Sequence, residues 1–230
     1  MKSLLYTLLV ISFLAPLLGA RTATTTAQAV VIEASAGVAT MPRQCRPGES
    51  APGAIRWRWR LGTAVRVYYF KGHFSEAEAG ALSRAVGNWN KALKEIGSPI
   101  VFIPSGEREG VAKDDASVTV IRGIPKRKER LGEVKFYSPP AGGILMTVTV
   151  SPVVTDRNAL TSLMVHELGH SVGLADCYEC RRGTTAMAAF KSNNKGTDVY
   201  RPSACDKYVV AAGYANENAT QAEAISFLRE

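Results

Sequence analysis

Histidine is scarce in this chain, with three in 230 residues. Any chemistry that needs imidazole must therefore be drawn from His73, His166 and His170. Long apolar runs are missing after residue 18, so no later stretch suits a membrane span of about 20 residues. There are no internal repeats. Charged residues make up only 21% of the chain against 46% hydrophobic, which excludes wholesale disorder. Dense clusters of one sign are also rare. The net charge is +8, from 28 basic and 20 acidic residues, but only residues 126–130 (K-R-K-E-R) form a basic run. Charge spread this way reads as a surface property rather than a nucleic-acid footprint. The length supports one sizeable core, or at most two small ones.

The first twenty residues have the form of a targeting segment. Lys2 precedes an apolar run over residues 4–18, and small residues follow it, with cleavage expected after Ala20 or after Ala29. The mature protein is then expected to be secreted, soluble and without a membrane partner. Four cysteines, Cys45, Cys177, Cys180 and Cys205, suit an oxidising compartment, where an even count implies disulfides. Three connectivities are open to four cysteines. The expectation is a bridge from Cys177 or Cys180 to Cys205.

Residues 21–55 are rich in Ala, Thr, Ser, Gly and Pro and are expected to form an N-terminal extension or propeptide ahead of a catalytic domain over 56–214, with a tail over 215–230. Residues 56–61 (R-W-R-W-R-L) and 64–70 (A-V-R-V-Y-Y-F) alternate in polarity as half-buried strands do. Ser75 and Glu78 have capping-box spacing. Leu82, Val86, Trp89, Leu93 and Ile96 follow on one helical face, which Gly97 ends. Strands are predicted over 99–104, 116–121 and 143–150, with a polar connection over 122–140. A helix capped by Thr155 or Asp156 comes next, then a helix over 203–214 and a short one over 220–228. His73 reads as an exposed residue.

The informative stretch is V-H-E-L-G-H-S-V-G-L-A-D, residues 165–176. Positions four apart share a helix face, so His166 and His170 can reach one metal ion, with Glu167 beside it to act on a bound water. Gly173 permits a sharp exit from the helix, and Asp176 offers an oxygen from a third direction.

The run H-E-L-G-H-S-V-G-L-A-D resembles the extended zinc motif of the metzincin metalloproteases, H-E-x-x-H-x-x-G-x-x-H/D. The aspartate at the last position resembles the snapalysin-like branch, and the layout is similar to that of the matrixins. The resemblance implies an α/β (α+β) fold of zincin type, a mixed twisted sheet with an antiparallel edge strand, a long helix, a zinc helix, a methionine turn and a C-terminal helix. It implies one catalytic Zn2+ held by His166, His170 and Asp176, with Glu167 as general base. Met187, eleven residues after Asp176, falls in the methionine-turn slot. Substrate is expected to lie along an edge strand containing Ile144, Met146 and Val148.

The function so implied is a secreted zinc endopeptidase, monomeric, acting on protein or peptide. A zinc amidohydrolase with a non-protein substrate and a silent binding protein on the same scaffold are the alternatives. Three histidines are too few for a second, structural zinc of the matrixin kind, and no D-x-D-x-D-G calcium loop occurs. P-R-Q-C-R-P-G around Cys45 loosely resembles the matrixin cysteine switch, with its spacing shifted by one; a disulfide is the expectation for Cys45.

Overall fold

Alternation of Val65 and Val67 with Arg66 and Tyr68 produces the first strand, β1 (Ala64–Phe70), in a computed structural model of the chain. The structure describes residues 42–43, 45–46, 49, 51–53, 55, 57–113, 116–137, 144–189 and 198–215. All of them belong to the unit Ala36–Glu230. The leader segment and the helix expected over 220–228 lie outside the described residues.

After β1 the chain turns into α1 (Glu76–Glu95). The Ser75 hydroxyl accepts from the Glu78 N–H, and the Glu78 carboxylate accepts in return from the Ser75 N–H, completing the capping box. The strands β2 (Val101–Arg108), β3 (Ser117–Arg122), β4 (Gly132–Tyr137) and β5 (Leu145–Val150) follow. Then come α2 (Arg157–Ser171) and α3 (Ala204–Ala215). Asp156 caps α2 by accepting the N–H groups of Asn158 and Ala159 at 3.0 and 2.8 Å.

The five strands form one sheet in the order β2-β1-β3-β5-β4. The first four are parallel, and β4 pairs antiparallel with β5, Gly132 opposite Val150 and Tyr137 opposite Leu145. This is the expected mixed α/β arrangement with an antiparallel edge strand, consistent with a zincin-like layout. β3 and β5 are buried on both faces, as central parallel strands are. Among the described residues no helix is long and apolar enough to cross a membrane.

Three expectations need correction. Residues 57–60 form no ladder, although Trp57 and Trp59 are buried. Their alternation reflects burial of two indoles, one of which donates from Nε1 to the Ser171 carbonyl at 2.7 Å. The stretch 122–140, expected to be a polar connection, contains β4. Its Glu133 and Lys135 alternate with Val134 and Phe136, as suits a strand with one face toward solvent. Consequently Ile144, Met146 and Val148 do not lie on the sheet edge. Met146 and Val148 sit between β3 and β4 and are fully covered, and Ile144 precedes the strand.

The disulfides also differ from expectation. Cys45 pairs with Cys205, and Cys177 pairs with Cys180. The fold, not sequence spacing, brings Cys45 against the start of α3. With its sulfur in a disulfide, Cys45 is not a free thiolate for a metal. Ala51 is buried and Ile55 packs on the core, so this stretch is part of the packed body.

Candidate metal centre

α2 is buried on nearly every side, including its polar residues Thr161, Ser162, His166, Glu167 and Ser171. A helix so placed has to satisfy each polar group within the protein. The structure does this for the two imidazoles through backbone carbonyls. His166 Nδ1 lies 2.8 Å from the Ala186 carbonyl, and His170 Nδ1 lies 2.8 Å from the Leu174 carbonyl. A carbonyl only accepts, so each Nδ1 carries the hydrogen and each Nε2 keeps its lone pair.

Both Nε2 atoms point at Asp176. His166 Nε2 is 3.2 Å and His170 Nε2 is 3.4 Å from Asp176 Oδ1. These three ligand atoms lie within 4.8 Å of one another, and together they can hold a metal ion. The two imidazole–carboxylate separations match the roughly 3.3 Å that tetrahedral metal–ligand bonds of about 2.0–2.1 Å set between ligand atoms. The other oxygen of Asp176 accepts from the Tyr178 hydroxyl at 3.3 Å. Gly173 makes the turn that delivers Asp176. Its φ is +96°, and a side chain there would overlap the Trp57 carbonyl.

Glu167 is buried beside the group. Burial pushes its carboxyl above the ordinary range, and Asp176 adds to this, while His166, His170 and Arg130 pull the other way. Burial likewise opposes the charged forms of His170 and Asp176, but their mutual contact wins. The Asp176 and Glu167 carboxylates raise the His170 imidazole, and close contact with both histidines holds Asp176 well below the usual carboxylate range. Gly132 on β4 makes room for Glu167, because a Cβ there would overlap its Oε1.

Met187 is fully buried beneath α2, against Gly169, where any side chain would overlap its sulfur. Its turn is latched twice. Cys177 donates its N–H to the Met187 carbonyl at 2.7 Å. Asp206, at the start of α3 and wholly buried, accepts from the Thr185 hydroxyl and from the Ala186 N–H at 2.9 Å. Asp206 therefore fixes the residue whose carbonyl fixes His166. Sequence reasoning passed over Asp206, whose only signal is a carboxylate in the first turn of a largely apolar helix. It also passed over Gly132 and Tyr178. His73 lies away from this group, with Nδ1 accepting the Arg122 N–H at 3.0 Å and its ring stacked on Phe70.

The group opens into a cleft of about 520 Å³ running under β4. Val134 and Phe136 of β4 line one wall, and His166, Glu167, His170 and Asp176 form the floor.

Fold and site together define a mixed α/β protein of zincin-like layout with a two-histidine, one-aspartate group able to hold a metal. No protein-family model matches the sequence, and no curated protein matches it. Among solved structures the chain is similar to one described as "Structure of Myroilysin", at 14% identity and a TM-score of 0.41. The match covers 70% of this chain and 83% of that one.

Proposed function

We propose that the chain is a secreted zinc-dependent endopeptidase. The carrying observation is that three convergent ligand atoms and a buried glutamate lie in one cleft directly beneath the antiparallel edge strand β4. A zinc ion held by His166, His170 and Asp176 supplies a Lewis acid that acidifies water and polarises a carbonyl. The protein's own parts do the rest. The outer edge of β4 offers backbone groups to an extended polypeptide, which fixes the scissile bond over the floor of the cleft. Glu167, with its raised carboxyl, takes a proton from the attacking water and delivers it to the leaving nitrogen. The Ala186 and Leu174 carbonyls hold the imidazoles so that Nε2 faces the ion.

Export fits the two disulfides, which form in oxidising compartments. In this reading residues 1–20 are removed on secretion, residues 56–214 carry the catalytic domain, and the enzyme acts as a monomer on protein or peptide, without a nucleic-acid or membrane partner.

The test is metal content and casein digestion of the wild type and Glu167→Ala. The wild type should bind one zinc and cut casein. The variant should keep the zinc and lose activity by about 100-fold or more, the usual worth of a general base. A wild type that binds zinc and cuts no polypeptide overturns the reading.

A further inference from the structure

The basic run at residues 126–130 supplies no ligand and no proton to the chemistry above, yet the structure places it at one end of the cleft. Arg127 and Arg130 line the cavity next to Gly132, where β4 begins. The Arg130 N–H donates to the Arg127 carbonyl at 2.9 Å, a tight turn that holds the two residues at this rim. The five residues carry four cations and a single carboxylate, Glu129. Among the described residues neither guanidinium takes part in an ion pair. The other acid on this wall, Glu133, is already engaged. Its carboxylate accepts the Lys126 N–H at 2.9 Å and lies 3.6 Å from Lys135 Nζ.

The opposite end is different in kind. Beyond Phe136 the cleft continues into a recess of about 130 Å³ walled by Trp57, Leu174, Ala175 and Tyr178. Phe136 meets Trp57 edge to face at 5.3 Å. A space this small accepts one large side chain and falls short of the roughly 300–1,000 Å³ of a small-molecule pocket. Cleft and recess share Phe136, His170, Asp176 and Tyr178, so the metal group stands between a cationic end and an aromatic end.

A chain added to the outer edge of β4 in the commoner antiparallel sense runs opposite to β4. Its N-terminal part then lies by Phe136 and its C-terminal part by Gly132 and the two arginines. We infer that the cleft selects polypeptides with an aromatic or large aliphatic residue before the scissile bond and an acidic residue after it. This rests on the endopeptidase reading and adds the substrate class to it.

The experiment compares kcat/KM of the zinc-loaded protein on four quenched peptides of equal length. They carry Phe before and Glu after the central bond, the two in reversed order, Lys in place of Glu, and Ala in place of Phe. The first should be cut best. Replacing Glu by Lys should cost about fivefold to tenfold, the scale of one or two exposed charge pairs, and the gap should narrow as salt is raised. Arg127→Glu with Arg130→Glu should invert the Glu-over-Lys preference. Arg127→Gln, at an exposed position, should shrink it by about half on the same scale and guards against misfolding of the double variant. Equal cleavage of all four peptides, or preference for the reversed order, with casein still digested, overturns this inference and leaves the endopeptidase reading intact. Failure to cut both casein and peptides overturns both.

Discussion

Two helices pack side by side in this fold and could hardly be built more differently. α1 buries one stripe, with Leu82, Val86, Trp89 and Leu93 inward and Ser83, Arg84 and Gly87 exposed. α2 is covered almost all round, with His166 and Glu167 as deeply buried as Leu163 and Leu168. They meet where the Trp89 indole donates to the Val165 carbonyl at 2.7 Å. The contrast shows what the site requires. α1 is stabilised by an apolar face and a capping box, and it keeps an outer face of exposed side chains. α2 has no solvent face to spare, so its polar residues depend on carbonyls and carboxylates supplied by other segments. A structural helix tolerates change on its outer face. A helix that carries chemistry has lost that freedom.

That contrast can be broken most directly at the ligands. His170→Ala should remove the metal, taking bound zinc per chain from one to near zero by elemental analysis and abolishing proteolysis. Alanine replacements on the outer face of α1, such as Ser83→Ala, should leave both unchanged, and a zinc site surviving His170→Ala would refute the ligand assignment.

A second pair of variants should differ in sign. Gly169→Ala places a methyl against the buried Met187 sulfur and within 3.3 Å of the Trp89 ring. Overpacking of that kind costs about 1–3 kcal/mol. Gly87→Ala on α1 meets nothing within 4 Å and has ordinary helical geometry. It should stabilise by about 0.5–1 kcal/mol, the helix preference of alanine over glycine. Chemical denaturation of both variants checks the pair, and equal signs would contradict the difference in burial.

The smallest effect concerns pH. Burial raises the Glu78 carboxyl, but hydrogen bonds from Ser75 and the charge of Arg122 outweigh it and hold it below its ordinary 4.5. A carboxyl lowered by folding contributes stability above its unfolded value and loses it as pH falls through the folded one. Glu78→Gln keeps a capping-box side chain while removing the charge. The melting temperatures of variant and wild type should therefore converge as pH drops below 4.5. A gap that stays constant through this range would rule the linkage out.

Legibility in the sequence followed the same divide. α1 could be read from periodicity, because Leu82 through Ile96 repeat with the helix. α2 could not, since burial on all sides leaves no stripe, and it was read instead from the spacing of His166, Glu167 and His170 and from the cap at Thr155 or Asp156. The edge strand β4 was hidden because it is short, half solvated and adjoins the basic run. Pairing of Cys45 with Cys205 was hidden because spacing along the chain does not determine proximity. Asp206 was hidden for a related reason. Its partners Thr185 and Ala186 lie about twenty positions upstream, and only the folded chain brings them to it.

The Cys45–Cys205 bond has a further consequence. It joins positions 160 residues apart, so nearly every loop among the described residues lies inside the ring it closes. A single cut anywhere within that ring, by any protease, opens the chain without dividing the molecule. Nicked protein would run as two fragments after reduction and as a single species before it. Damage would therefore accumulate as hidden breaks in particles of unchanged mass, rather than as loss of material.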